Sequence, residues 1–177
     1  MLSDIREIFR LYGGWRAFRS SSYVLAGLII SLALWRDALS GIWAKTVASY
    51  LPPLLGFSFA ALAIMTAIGD ERFRAKMAKI DVIHEGESDL TTITATFCWF
   101  IFVQIAAVMS AIIFAATPIP FFCERTSDPR VCLAIVETGN DAFGFLGNFL
   151  LSYSLVLIIS AVSQMMKVFR LYLKSVS

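Results

Sequence analysis

Apolar residues run almost unbroken through four stretches of the chain, with polar residues gathered between them. The stretches are 21–35 (SSYVLAGLIISLALW), 51–69 (LPPLLGFSFAALAIMTAIG), 93–116 (ITATFCWFIFVQIAAVMSAIIFAA) and 143–166 (FGFLGNFLLSYSLVLIISAVSQMM). A helix needs roughly 20 apolar residues to cross a bilayer core. The last three meet that length. The first, at 15 residues, reaches across if Arg19 and Arg36 extend outward and Tyr23 and Trp35 sit at the two interfaces. A cleaved signal peptide is disfavoured there, because a long charged region precedes the run and Trp35-Arg36-Asp37 follows it in place of a small-x-small site. The pattern therefore predicts an all-α integral membrane protein with four transmembrane helices in one domain, 1–177.

Residues 1–19 have a different pattern. Ile5, Ile8, Phe9 and Tyr12 share one helical face and Arg6 and Arg10 lie off it, with Ser3 as a possible cap. Gly13-Gly14 then breaks or bends the chain. This predicts an N-terminal amphipathic helix, either lying in the membrane interface or packed on the bundle.

Charge sets an expected orientation. Outside the spans, eleven Lys and Arg fall on one side of the alternating loops and four on the other. Positive residues stay inside, so the expectation is N-in and C-in. Residues 70–91 then form a cytoplasmic arm and 117–141 a periplasmic loop, with a bacterial inner (plasma) membrane as the location. The arm mixes Arg72, Arg74, Lys76 and Lys79 with Glu85 and Glu87. It reads either as a docking site for a soluble cytoplasmic partner or as a solvated helix extension.

Within the spans the polar and small residues are the informative ones. Gly56, Ala60, Ala63 and Ala67 share one side of the second span, and Ala107, Ala111 and Ala115 one side of the third. Such rows let helices approach closely, which suggests a homo-oligomer. Gln104, mid-span, needs a partner in hydrocarbon, and a helix-to-helix hydrogen bond is the ordinary one. Trp99 is placed close to the cytoplasmic interface, while Asn148, Ser152 and Tyr153 fall in the outer half of the fourth span. Gln104, Asn148, Ser152 and Ser160 are also the candidates to line a pore.

Composition then narrows the function. The chain is 58% hydrophobic and 16% charged, with a net charge of +2, and nothing points to direct nucleic-acid binding. No span holds Asp, Glu, Lys, Arg or His, which argues against an ion-coupled transporter. His84 is the single histidine, so a multi-histidine metal site cannot form. No P-loop, dinucleotide fingerprint or GxSxG is present. The expectation is no catalytic residue, no metal and no cofactor. Cys98, in the third span, reads as an apolar filler. Cys123 and Cys132 are separated by eight residues in the loop expected outside. In an oxidising compartment they can join as a disulfide closing a ten-residue loop; two free thiols or an intermolecular bridge are the alternatives.

The stretches LPPLLGFSFAALAIMTAIGDERF, 51–73, and ATFCWFIFVQIAAV, 95–108, resemble segments of uncharacterised small bacterial inner-membrane proteins. In size and span layout the chain is also similar to the four-span membrane component of the Kiwa phage-defence system, a likeness without a matched motif. That second resemblance implies an oligomer that senses envelope disturbance and holds a cytoplasmic effector. The functional expectation is a homo-oligomeric sensor or scaffold, with a channel or membrane-permeabilising effector as the alternative.

Overall fold

In the computed structural model, residues 2–67, 75, 89–116 and 129–176 are described, and no strand occurs among them. Among the described residues the chain forms, in order, the helices α1 (Leu2–Leu11), α2 (Gly14–Ser20), α3 (Ser22–Ala33), α4 (Trp35–Ser40), α5 (Ile42–Ala67), α6 (Asp89–Ala116) and α7 (Pro129–Val176). Three segments, Ile42–Ala67, Thr91–Ala116 and Val136–Leu173, are long and apolar enough to cross a membrane.

The expected first span is shorter than predicted. α3 has 12 residues, about 18 Å at 1.5 Å per residue, against a core of about 30 Å. The backbone leaves helical geometry at Leu34 (φ −96°, ψ 28°) and turns again at Gly41, whose φ of 72° suits glycine. Between these breaks lies α4, so this part of the chain enters the bundle as two short helices.

α5 begins nine residues before the expected start at Leu51. Pro52 and Pro53 consequently lie inside the helix and not at its first turn. A proline removes the bond to the carbonyl four residues earlier. Here those carbonyls belong to Ala48 and Ser49, both on the exposed side of the helix.

The largest departure is in α7. It runs unbroken for 48 residues, roughly 72 Å, so the expected loop 117–141 is helical from Pro129 onward. Pro129 occupies the first helical position, where a missing N–H costs little. Gly139 and Asn140, which fall within the expected loop, are carried inside the helix.

The long helices pack around two apolar clusters. One gathers Ala61 and Met65 of α5, Phe97 and Phe100 of α6, and Tyr153 and Leu157 of α7. The other gathers Trp43, Val47 and Leu51 of α5, Ala107 and Ala111 of α6, and Leu151 of α7. Glycines on α3 and α7 permit the closest approaches. A Cβ on Gly27 would lie 2.9 Å from Tyr153 Cα, one on Gly144 would meet the Ala38 carbonyl, and one on Gly147 would enter the Trp43 ring.

Candidate functional site

The buried polar side chains tie helices together. Asn148 of α7 donates its Nδ2 to Ser31 O at 3.1 Å and lies 3.4 Å from Leu34 O. Ser31 O lies in the last turn of α3, where helix carbonyls lose their own partners, while Leu34 O also accepts from the Asp37 and Ala38 amides of α4. In hydrocarbon such groups need a partner within the protein, and Asn148 supplies one to Ser31 O.

Gln104 of α6 meets Ser58 of α5, with Ser58 Oγ and the Gln104 side-chain amide 3.1 Å apart. Ser58 Oγ also bonds Leu54 O at 2.7 Å. A hydroxyl has one proton. With that proton on Leu54 O, the Gln104 amide is best satisfied by presenting Nε2 to Ser58, an orientation set by the network. This gives a donor role to Nε2, which is otherwise buried without a partner among the described residues.

Gln104, Asn148, Ser152 and Ser160 are all buried in the packing of one chain. None of the four faces outward, so they give a pore between copies no polar wall. Ser152 Oγ and Trp43 Nε1 are buried without a hydrogen-bond partner among the described residues.

The two small-residue rows have different surroundings. Ala107 and Ala111 are buried against α5, while Ala115, at the end of the row, is exposed. Gly56, Ala60, Ala63 and Ala67 are exposed, and a Cβ on Gly56 would meet nothing within 4 Å. The α5 face that packs inward is instead Leu51, Ser58, Ala61 and Met65.

The candidate partner-binding residues Arg72, Arg74, Lys76, Lys79, Glu85 and Glu87 lie outside the described residues, as does Cys123. Cys132 falls in the first turn of α7, and the pairing of Cys123 with Cys132 is an expectation that the described residues do not address. Cys98 is a half-buried free thiol. Among the described residues no three His, Cys, Asp or Glu side chains gather as a metal site would require.

Sequence reasoning missed an aromatic cluster that docks the N-terminal helices on the bundle. Phe9 lies 5.1 Å and Tyr12 5.6 Å from the Trp99 ring, centroid to centroid. Phe18 meets Tyr153 edge-on at 6.0 Å. Trp99 Nε1 donates to Tyr153 Oη at 3.3 Å. The expected spans place Trp99 and Tyr153 in opposite halves of the membrane; the packing of the much longer α7 against α6 brings them to one level. The signal is present in the spacing: Phe9, Tyr12, Trp15 and Phe18 recur every third residue.

Behind this cluster is a cavity of about 550 Å³, between α1, α2, α6 and α7. Phe9, Trp15, Trp99, Phe102 and Phe149 form its walls, and Arg6 is its charged lining residue. Such a volume falls within the roughly 300–1,000 Å³ of small-molecule pockets. A second, open hollow of about 530 Å³ adjoins through Trp15 and is lined by Arg16, Arg19 and Ser20. The arrangement offers apolar burial with positive charge at one edge, and no nucleophile–base pair.

In comparisons with known proteins, no family model, curated protein or solved structure matches the chain.

Proposed function

We propose that the protein is a self-associating membrane scaffold that holds a soluble effector at its cytoplasmic face. The observation that carries this reading is the outward row Gly56, Ala60, Ala63 and Ala67 on α5. Ala107 and Ala111 of α6 and Gly144 and Gly147 of α7 are spent inside the bundle; the α5 row is left for a second copy. Association of helices in lipid depends on close backbone packing, and small side chains on an exposed face allow it. The charged segment 70–88 follows closely on α5. Copies joined through α5 would bring their segments together, giving a partner several equivalent contacts at once. The reading extends to a role in sensing envelope disturbance during antiphage defence, which the resemblance in size and span layout suggests, and to residence in a bacterial inner membrane with both termini inside, an orientation that requires α3 and α4 together to complete a fourth crossing beside the three long helices. A channel has no comparable support, since its candidate lining side chains are buried within one chain.

Cysteine cross-linking in native membranes tests the reading. In a background with the three native cysteines replaced, Ala60→Cys and Ala63→Cys are expected to form disulfide-linked dimers, and the inward Ala61→Cys is not. Absence of dimers at both outward positions would remove the basis for self-association. For the partner, deletion of 72–88 is expected to abolish co-purification of the soluble effector while leaving the cross-links intact.

A further inference from the structure

The geometry points to the cavity between α1, α2, α6 and α7 as a binding site for one anionic phospholipid, its acyl chain among the aromatic rings and its headgroup on Arg6, Arg16 and Arg19.

Three observations converge on this occupant. The first is shape. The cavity lining follows α6 from Trp99 through Phe102 and Val103 to Ala106. That stretch covers about 10 Å along the helix axis, within a segment long and apolar enough to cross a membrane. An apolar chain laid along α6 meets lining over that whole length. The second is wall chemistry. Phe9, Trp15 and Phe102 offer ring faces and edges, and the polar handle of Trp99 is already engaged by Tyr153 Oη. Apart from the Arg6 guanidinium and the Trp15 indole N–H, what remains is apolar surface, suited to hydrocarbon. The third is charge. Arg6 lines the cavity, and Arg16 and Arg19 line the hollow that shares Trp15 with it. Arg6, Arg16 and Arg19 are all exposed. Among the described residues lining either space there is no carboxylate. Guanidinium groups bind phosphate oxygens through paired N–H donors, and basic pockets beside membrane helices are recognition sites for anionic headgroups.

The hinge explains how one site obtains both parts. Gly13, at φ 109°, joins the end of α1 to the start of α2. The turn lets α1 press Phe9 and Tyr12 onto Trp99 while α2 presents Arg16 and Arg19 at the edge. In a straight helix through 2–20 Phe18 would lie opposite Phe9; the turn brings both into the cluster. A lipid seated there would bridge the N-terminal helices to α6 and α7, so the attachment of α1 and α2 would respond to the charge of the surrounding leaflet. This inference stands on the cavity alone and does not depend on self-association.

Native mass spectrometry of the full chain in detergent, titrated with dioleoyl phosphatidylglycerol or dioleoyl phosphatidylcholine, tests it. One phosphatidylglycerol per chain is expected to be retained in preference to phosphatidylcholine. Arg16→Gln and Arg19→Gln, both on exposed side chains, are each expected to weaken that retention about fivefold without loss of helicity by circular dichroism. Ala106→Phe, which adds a ring at the end of the α6 lining away from Trp99, is expected to reduce retention of both lipids. In the wild type, phosphatidylglycerol with brominated chains is expected to quench tryptophan emission that is missing from Trp99→Phe. Equal retention of the two lipids by the wild type, undiminished retention by both arginine variants, unchanged retention in a folded Ala106→Phe, or quenching that is unaltered in Trp99→Phe would each overturn the assignment. So would displacement of the lipid by millimolar inorganic phosphate, which would mean that the headgroup alone is recognised.

Discussion

Single contacts decide which substitutions the bundle accepts. Gly27 and Gly56 are both helix glycines, yet their surroundings are opposite. A methyl at Gly27 would press on the Tyr153 backbone at 2.9 Å. Neither backbone can yield cheaply, so Gly27→Ala is expected to cost about 1–3 kcal/mol. Gly56 has open space around it, and Gly56→Ala is expected to stabilise by about 0.5–1 kcal/mol through helix propensity. Thermal unfolding of the two variants in detergent checks the contrast; equal effects would contradict it. The Ser58–Gln104 contact gives a second prediction. Ser58→Ala leaves the buried Gln104 amide unpartnered and is expected to cost about 0.6 kcal/mol, with an upper bound near 1.7. Adding Gln104→Leu removes the stranded group, and the double variant is expected to recover part of that loss. A double variant less stable than Ser58→Ala alone would show that Gln104 has another role.

Elements were legible in the sequence where apolar patterning alone decides structure. α6 begins four residues before the expected span and ends with it at Ala116, because its long apolar run leaves little choice of boundary. The expected partner requirement of Gln104 also has a physical counterpart in Ser58. Boundaries failed where local residues and tertiary context compete. Gly139 and Asn140 are poor helix residues within the expected loop, but α7 passes through them. Pro52 and Pro53 point to a helix start, but α5 absorbs them. The direction of the second span's small face could not be read at all, since periodicity groups residues on a face without saying what that face meets. The aromatic cavity was invisible for the same reason: it joins Phe9, Trp99 and Tyr153, which are distant in sequence. The continuity of α7 yields its own prediction. Gly139 has nothing within 4 Å, so Gly139→Ala is expected to raise stability by about 0.5–1 kcal/mol and Gly139→Pro to lower it by about 3 kcal/mol. If the segment were a loop, neither change would have that sign and size together; chemical denaturation monitored by circular dichroism distinguishes the cases.

At the scale of the whole molecule, one chain accounts for most of its own buried polar groups and close helix crossings. Asn148 closes the end of α3, Ser58 and Gln104 join α5 to α6, and the glycines of α3 and α7 fix the closest crossings. What the chain leaves open is the α5 row, together with large apolar side chains such as Phe57, Phe59 and Ile64 on the same helix. The central claim is that this row joins copies. It is tested most directly by the mass of the full chain extracted into native lipid discs, for the wild type and for Ala60→Leu/Ala63→Leu. A defined multiple of the 19.6 kDa chain is predicted for the wild type, and a shift towards the single-chain mass for the variant, with helicity retained. A wild type of single-chain mass, or an unchanged multiple in the variant, would contradict it.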